Sequence, residues 1–267
     1  MNNGEIIRSK DNAWLTYARA VRDGREADAI FIEGKRQCLE AVRAGTAIDF
    51  CLVSETYDDR EAVEPLRSIA RDIFVVADRL FNSISETKSP QGIIAIAQRP
   101  DDGRVKLIES LLTCLIPTIV FLSEINNPSN LGAILRTVEA AGAAGVITSI
   151  GSADAFSPKA NRAALGANLR IPVWQKAEPN DVIEFAKEND LVTVAAVVSD
   201  SADHWAVDWK RPTLLMLGSE AHGLSDEIAD TADLRVTIPL ANAVESLNLG
   251  VSAGILLFEA VRQNRKS

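Results

Sequence analysis

The sequence predicts an α/β protein in two parts: a C-terminal parallel sheet with helices on both faces, and a smaller α/β domain before it. Three observations carry that prediction. Short apolar runs alternate with helical patterns along the whole chain. In the C-terminal part these runs are apolar throughout and rich in β-branched residues, as in PTIVFLSE, VTVAAVV and TLLML, the pattern of strands buried on two sides. A polar stretch rich in turn residues, QRPDDGRVK from Gln98 to Lys106, interrupts the alternation and divides the chain into domains 1–106 and 107–267.

In the first domain DAIFIE reads as a strand, KRQCLEAVRAG as a helix closed by Gly45, and AIDFCLV as a second strand. EAVEPLRSIA, IFVVA and QGIIAIA continue the same rhythm. In the second domain PTIVFLSE is followed by a helix from Leu131 to Ala143, whose apolar face is Leu131, Ile134, Leu135 and Val138. GVITSI is a strand, and SPKANRAALG a helix with Ser157 as N-cap, Pro158 at its first position and Gly166 at its end. VTVAAVV, TLLML and LRVTI complete the strands, and a long helix begins near Ser246 with Asn248 in its first turn.

With 267 residues, 47% of them hydrophobic, the chain is long enough to bury a substantial core. No run of 18 apolar residues occurs, so no membrane span is expected, and the start MNNGEIIRSKDNAW lacks the layout of a secretory leader. Cys38, Cys51 and Cys114 are odd in number, widely spaced and set among apolar residues. They read as buried thiols of a cytoplasmic protein, and no metal-ligand spacing is present. The net charge is −9; residues 1–106 hold 16 basic and 18 acidic side chains, the remainder 12 and 19. Such a protein draws nucleic acid weakly at long range, so any RNA contact requires a local basic patch.

Three loops that follow C-terminal strands are unusual, and ligands of parallel sheets bind at the strands' carboxyl ends. In the first, NNPSN, Asn130 can cap the following helix and leave its N-terminus for an anionic group. Arg136 lies off that helix's apolar stripe, as a surface cation or as a group with a task. In the second, GSEAHGLSDE, Gly218 and Gly223 allow close backbone approach and Glu220 sits between them. Its G-x-x-x-x-G outline lacks the Lys-Ser/Thr of a triphosphate site, which leaves a tight turn with a capping carboxylate as the other reading. His222 reads as a solvated loop residue. The third is IPLANAVESLNLGVSAGILLFEA, in which Gly250 and Gly254 make a flat strip for packing on the sheet or for a dimer contact. Neither G-x-G-x-x-G nor G-x-S-x-G occurs.

Taken together and in order, the loops resemble the three signature motifs of the SpoU/TrmH family of RNA ribose 2′-O-methyltransferases, in the SPOUT superfamily. The first motif is matched by Asn127-Pro128-Ser129-Asn130-Leu131-Gly132 with Arg136-Thr137. The second is matched by Leu217-Gly218-Ser219-Glu220 with Gly223-Leu224-Ser225, and the third by Ile238-Pro239 with Glu245-Ser246-Leu247-Asn248-Leu249. SPKANRAALG is similar to the family's helix at that place, and the likeness runs from Pro117 to the C-terminus. FIEGKRQCLEAVRAG and ETKSPQGIIAIA resemble the family's N-terminal substrate-binding domain, which is similar to ribosomal kink-turn-binding proteins.

The resemblance implies a deep trefoil knot, an obligate homodimer and the cofactor S-adenosyl-L-methionine. It implies that Leu217, Gly218, Ile238, Leu240 and Leu247 line the cofactor pocket. Asn130, Arg136, Glu220, Ser246 and Asn248 then form the reaction centre, with Arg136 serving the partner subunit's site. The implied substrate is RNA, with ribosomal RNA favoured; transfer RNA, or a non-catalytic RNA-binding or assembly factor of the same fold, are the alternatives. The expected RNA-contacting patch is Arg8, Lys10, Lys35, Arg36, Lys88 and Arg99.

Overall fold

A computed structural model describes residues 6–198, 201–242 and 244–265. The chain forms two compact units, one of residues 1–101 with 156–170, the other of 102–155 with 171–267.

The first unit begins with α1 (Ala13–Arg22), β1 (Ala29–Glu33), α2 (Lys35–Arg43) and β2 (Ile48–Ser54). It continues with α3 (Arg60–Arg67), β3 (Asp72–Val76), α4 (Asp78–Ile84) and β4 (Ile93–Gln98). Its sheet has the order β1-β4-β2-β3, antiparallel except for the parallel pair β2–β3. Phe31, Phe50, Leu52, Phe74, Phe81 and Ile96 build its core. The helix α1, which periodicity did not single out, is capped by Asn12 and buries Leu15, Ala18 and Val21.

The second unit opens with α5 (Arg104–Leu111), β5 (Ile116–Leu122), α6 (Pro128–Ala141) and β6 (Ala143–Ser149). The chain then contributes α7 (Pro158–Ala164) and α8 (Ala167–Arg170) to the first unit. It resumes the second with β7 (Val173–Ala177), α9 (Pro179–Glu188), β8 (Val192–Ala196), β9 (Ala202–Asp203), β10 (Thr213–Leu217), α10 (Asp226–Ala229), β11 (Leu234–Thr237) and α11 (Leu249–Asn264). The seven strands are parallel in the order β7-β6-β5-β10-β8-β11-β9. On one face Ile119, Phe121, Leu214 and Met216 meet Leu107, Val182 and Phe185 in a single core. The alternate residues Val120, Leu122 and Leu215 are equally buried, and α6 and α11 pack together on β6 and β5. Burial of consecutive strand residues is why these strands read as continuous apolar runs.

Three sequence expectations shift. The expected linker shrinks to residues 99–102: Gln98 ends β4 and Arg104 starts α5, while Gly103 donates to the Val173 carbonyl at 3.2 Å. A Cβ on Gly103 would lie 2.5 Å from the Val173 backbone, so this glycine belongs with the second unit's sheet. The helix expected to reach Ala143 stops at Ala141, because Gly142 turns left-handed at φ 70° and Ala143 begins β6. SPKANRAALG, counted by sequence with domain 107–267, lies in the first unit. There the buried Asn161 amide donates to the Phe31 and Phe156 carbonyls at 3.2 and 3.0 Å, and Arg170 pairs with Glu40 at 2.6 Å. Ser157 caps α7, with Pro158 as its first residue. No helix among the described residues is long and apolar enough to cross a membrane.

Candidate active site

Since β5 and β10 are neighbours in the sheet, the loops that follow them emerge side by side. The Ser123 amide donates to the Leu217 carbonyl at 2.9 Å and holds the two strand ends together. Beyond it the first loop is fixed by side chains from the end of β6. Ser149 Oγ accepts from Glu124 N at 2.8 Å, and Ser152 Oγ from Ile125 N at 3.2 Å. These serines were not singled out from sequence, because their partners are 25 and 27 residues away.

Asn127, not Asn130, caps α6, accepting from Ser129 N at 2.9 Å. Pro128 takes the first helical position, where its missing N–H and fixed φ cost nothing, so the cap must be the residue before it. Asn130 therefore lies inside the first turn with a free side-chain amide, which donates to Glu220 Oε1.

Glu220 projects from a turn closed at its base by reciprocal bonds, Ser219 N to Gly223 O at 3.0 Å and Gly223 N to Ser219 O at 2.8 Å. Gly218 makes that closure possible: a Cβ there would stand 1.9 Å from Gly223 C and Leu224 N. His222 is exposed on the same turn, as expected.

The third loop follows β11. Ile238 and Leu247 are half-buried, and Leu240 is 37% exposed. Among the described residues, 238–240 and 245–247 make no backbone–backbone hydrogen bonds, on either side of a turn at Asn242. Apolar side chains beside unspent backbone donors and acceptors suit a flat heteroaromatic with a polar edge, such as adenine. The final helix starts at Leu249, with Asn248 as its cap. Asn248 Oδ1 accepts from Gly250 N at 3.0 Å and Val251 N at 3.4 Å, and Ser246 lies outside the helix. Both differ from the expected start near Ser246. A short polar side chain competes for backbone donors, which favours the cap over the first turn. Gly250 and Gly254 face α6: beyond the cap itself, a Cβ on Gly250 would meet Ile134 Cγ1 at 3.9 Å and one on Gly254 would meet Thr137 Cγ2 at 3.8 Å. The strip thus serves helix–helix packing within the chain.

Arg136 is exposed on α6. Six residues separate it from Asn130, roughly 9 Å along the helix axis and about 240° around it. The two side chains therefore leave the helix on different sides, and within one chain Asn130 and Glu220 meet without it.

Of the expected RNA patch, Lys35, Arg36, Lys88 and Arg8 lie around the carboxyl ends of β1, β2 and β3 and the start of β4. Lys35 pairs with Asp59 at 2.5 Å and Arg8 with Glu55 at 3.1 Å. Arg99 is a correction: it sits past the far end of β4, its guanidinium 5.0 Å from the Phe156 ring centroid. Cys38 and Cys51 are buried, whereas Cys114 is only half-buried.

Residues 117–258 match the SpoU rRNA Methylase family, and residues 19–95 the MRM3-like substrate binding domain. The chain is 31% identical to the 23S rRNA (uridine(2479)-2'-O)-methyltransferase of Streptomyces viridochromogenes, over 76% of this chain and 71% of that protein. It is 27% identical to the 23S rRNA (guanosine(2553)-2'-O)-methyltransferase RlmP of Bacillus subtilis, covering 89% and 90% of the two. The crystal structure of the SpoU methyltransferase AviRb from Streptomyces viridochromogenes with AdoMet superposes with a TM-score of 0.85 at 26% identity, over 94% of this chain and 98% of that one. More than half the chain matches one family across all three loops, and the chain superposes on an AdoMet-bound SpoU methyltransferase over nearly its whole length: the chain belongs to the SpoU rRNA Methylase family.

Proposed function

We propose that the protein transfers the methyl group of S-adenosylmethionine to a ribose 2′-hydroxyl of ribosomal RNA. The observation that carries the reading is the Asn130–Glu220 hydrogen bond at the adjoining carboxyl ends of β5 and β10, in a chain of this family. Leu217, Gly218, Ile238, Leu240 and Leu247 are assigned to hold the cofactor, which supplies an electrophilic methyl group on a sulfonium. The apolar side chains of the third loop and the unpaired backbone of 238–240 and 245–247 support that assignment.

Asn130, Arg136, Glu220, Ser246 and Asn248 are assigned to the reaction centre. The hydroxyl must lose its proton as the oxygen is methylated. A guanidinium has a pKa above ~12 and keeps its proton, so Arg136 acts by gripping the adjacent phosphate and favouring the 2′-oxyanion. The proton goes to solvent, to a phosphate oxygen or to Glu220, whose carboxylate Asn130 orients. A partly dry, preoriented site favours a step in which charge is neutralised.

The working unit is a homodimer in which Arg136 completes the partner's site. Two features support this: the separation of Arg136 from Asn130 around α6, and an apolar stripe on α11 in which Val251 and Phe258 are each 50% exposed and Ile255 lies between them. The C-terminal segment forms a trefoil knot; the return of β10 between β5 and β8, strands laid down earlier, supports the threading. The protein acts in the cytoplasm, where ribosomal RNA and reduced thiols coexist.

The test is a map of ribose methylation across total RNA from a deletion strain and its complemented control. One ribosomal position losing and regaining its methyl group is the expected result. An unchanged ribosomal map with a lost methyl group in transfer RNA would overturn the substrate assignment. Calorimetry showing no S-adenosylmethionine binding would make the chain a non-catalytic RNA-binding factor.

A further inference from the structure

Glu33, the last residue of β1, is only 5% exposed, and no ion pair among the described residues includes it. Its partners are three donors from consecutive residues of one loop. Ser85 Oγ and Thr87 Oγ1 (2.6 Å) donate to Oε1, and the Glu86 amide donates to Oε2 at 2.9 Å. A buried carboxylate is costly unless fully hydrogen-bonded. For core stability alone an apolar residue would serve as well. What the carboxylate supplies instead is a fixed geometry for the loop between α4 and β4.

The other end of that loop is also tied down. Gln91 Oε1 accepts from Lys35 N at 3.0 Å, the first amide of α2. Gly34 permits this, since at φ 100° it has no Cβ, which would otherwise stand 2.9 Å from that oxygen. Between the anchors lies Lys88, exposed, and at the start of α2 lies Arg36, also exposed. Of the nearby acids, Glu33 is buried, Glu86 pairs with Arg162 and Asp59 pairs with Lys35, while Asp58 and Glu61 stay exposed on the Lys35 side. A protein of net charge −9 thus keeps cationic groups available at one end of its small sheet.

We infer that Glu33 is a positioning residue for RNA: it fixes the loop Ser85–Gln91 so that Lys88 and Arg36 act together on the phosphate backbone. The inference rests on the RNA-methylating reading above. Phosphate contacts set register on a nucleic acid, so loosening this loop weakens RNA binding and leaves methyl transfer from bound RNA intact.

The test compares full-length wild type with Glu33→Gln and, from the other side of the bond, Thr87→Val. An unmethylated transcript of 23S rRNA and radiolabelled S-adenosylmethionine serve as substrates. Four readouts are needed: KM for RNA, kcat, thermal midpoint, and hydrogen exchange of the 85–91 amides. The expected result for both variants is faster exchange across 85–91, KM for RNA raised by roughly tenfold, and kcat and S-adenosylmethionine affinity held. Unchanged exchange, or faster exchange with unchanged KM, overturns the inference. A joint fall of kcat and thermal midpoint assigns Glu33 to structure alone and also overturns it. Wild-type protein that binds the transcript without methylating it refutes the catalytic reading only, and the variants' RNA affinity then decides for Glu33. Wild type that does not bind the transcript refutes both.

Discussion

The Asn130 side-chain amide donates to the Glu220 carboxylate across 90 residues of chain, from the first turn of α6 to the tip of the turn after β10. Pro128 sets this up by moving the helix cap back to Asn127. Glu220→Gln leaves the shape intact and removes the charge. Single-turnover methylation is expected to fall by roughly 10²-fold with either Glu220→Gln or Asn130→Ala. The double variant should lose little more than either single one. Fully additive losses would show that the two residues act independently.

Arg136 carries the intersubunit prediction. Arg136→Lys keeps the charge but not the planar fork, and single-turnover methylation should fall strongly. Arg136→Ala and Asn130→Ala proteins are each expected to be strongly impaired. Unfolded and refolded together they should regain about a quarter of wild-type activity, since half the dimers are mixed and each has one intact site. No recovery on mixing would place both residues in the same protomer's site.

Gly218→Ala drives a Cβ to 1.9 Å from backbone atoms that cannot rotate away. Opening the turn is expected to cost about 1–3 kcal/mol and to abolish S-adenosylmethionine binding by calorimetry. Gly223→Ala meets nothing within 4 Å but holds φ at 69°, so its cost is about 1 kcal/mol of backbone strain. Equal behaviour of the two variants would contradict this account.

Burial raises the Cys51 thiol from its ordinary 9.0 to about 12, and Cys38 also rises through burial. In the unfolded chain both ionise near the ordinary value, so above it the unfolded state binds fewer protons than the folded one. Stability from these thiols is complete below that value and is lost as pH climbs toward 12, at up to about 1.4 kcal/mol per pH unit for each thiol. Thermal midpoints measured from pH 8 to 10.5 should decline, and Cys51→Val should flatten the decline. Iodoacetamide at pH 8 should modify neither buried thiol in the folded protein.

Arg36 and Lys88 are exposed at the same end of the small sheet, whereas Arg99 lies beyond the other. Replacing Arg36 and Lys88 by Gln should lower the salt slope of RNA binding by about two units. Arg99→Gln should leave it nearly unchanged. A slope insensitive to Arg36 and Lys88 would move the RNA contact elsewhere.

The sequence by itself determined the alternation of strands and helices, the parallel character of the large sheet and the three loops that matter. These are local signals: β-branched apolar runs buried on two faces, glycines where backbone segments approach, and small polar residues at helix starts. Only the tertiary structure decided which asparagine caps α6, because Asn127 and Asn130 are equally good caps until Pro128 is known to be the first helical residue. It alone joined Asn130 to Glu220 and turned the glycine strip of α11 toward α6. It also brought Phe156–Arg170 into the first unit through Asn161 and Phe31, 130 residues apart. Helical and strand periods specify which face is buried but not its partner. Partners are fixed by sheet order and by hydrogen bonds between distant segments, and those exist only once the chain has closed on itself.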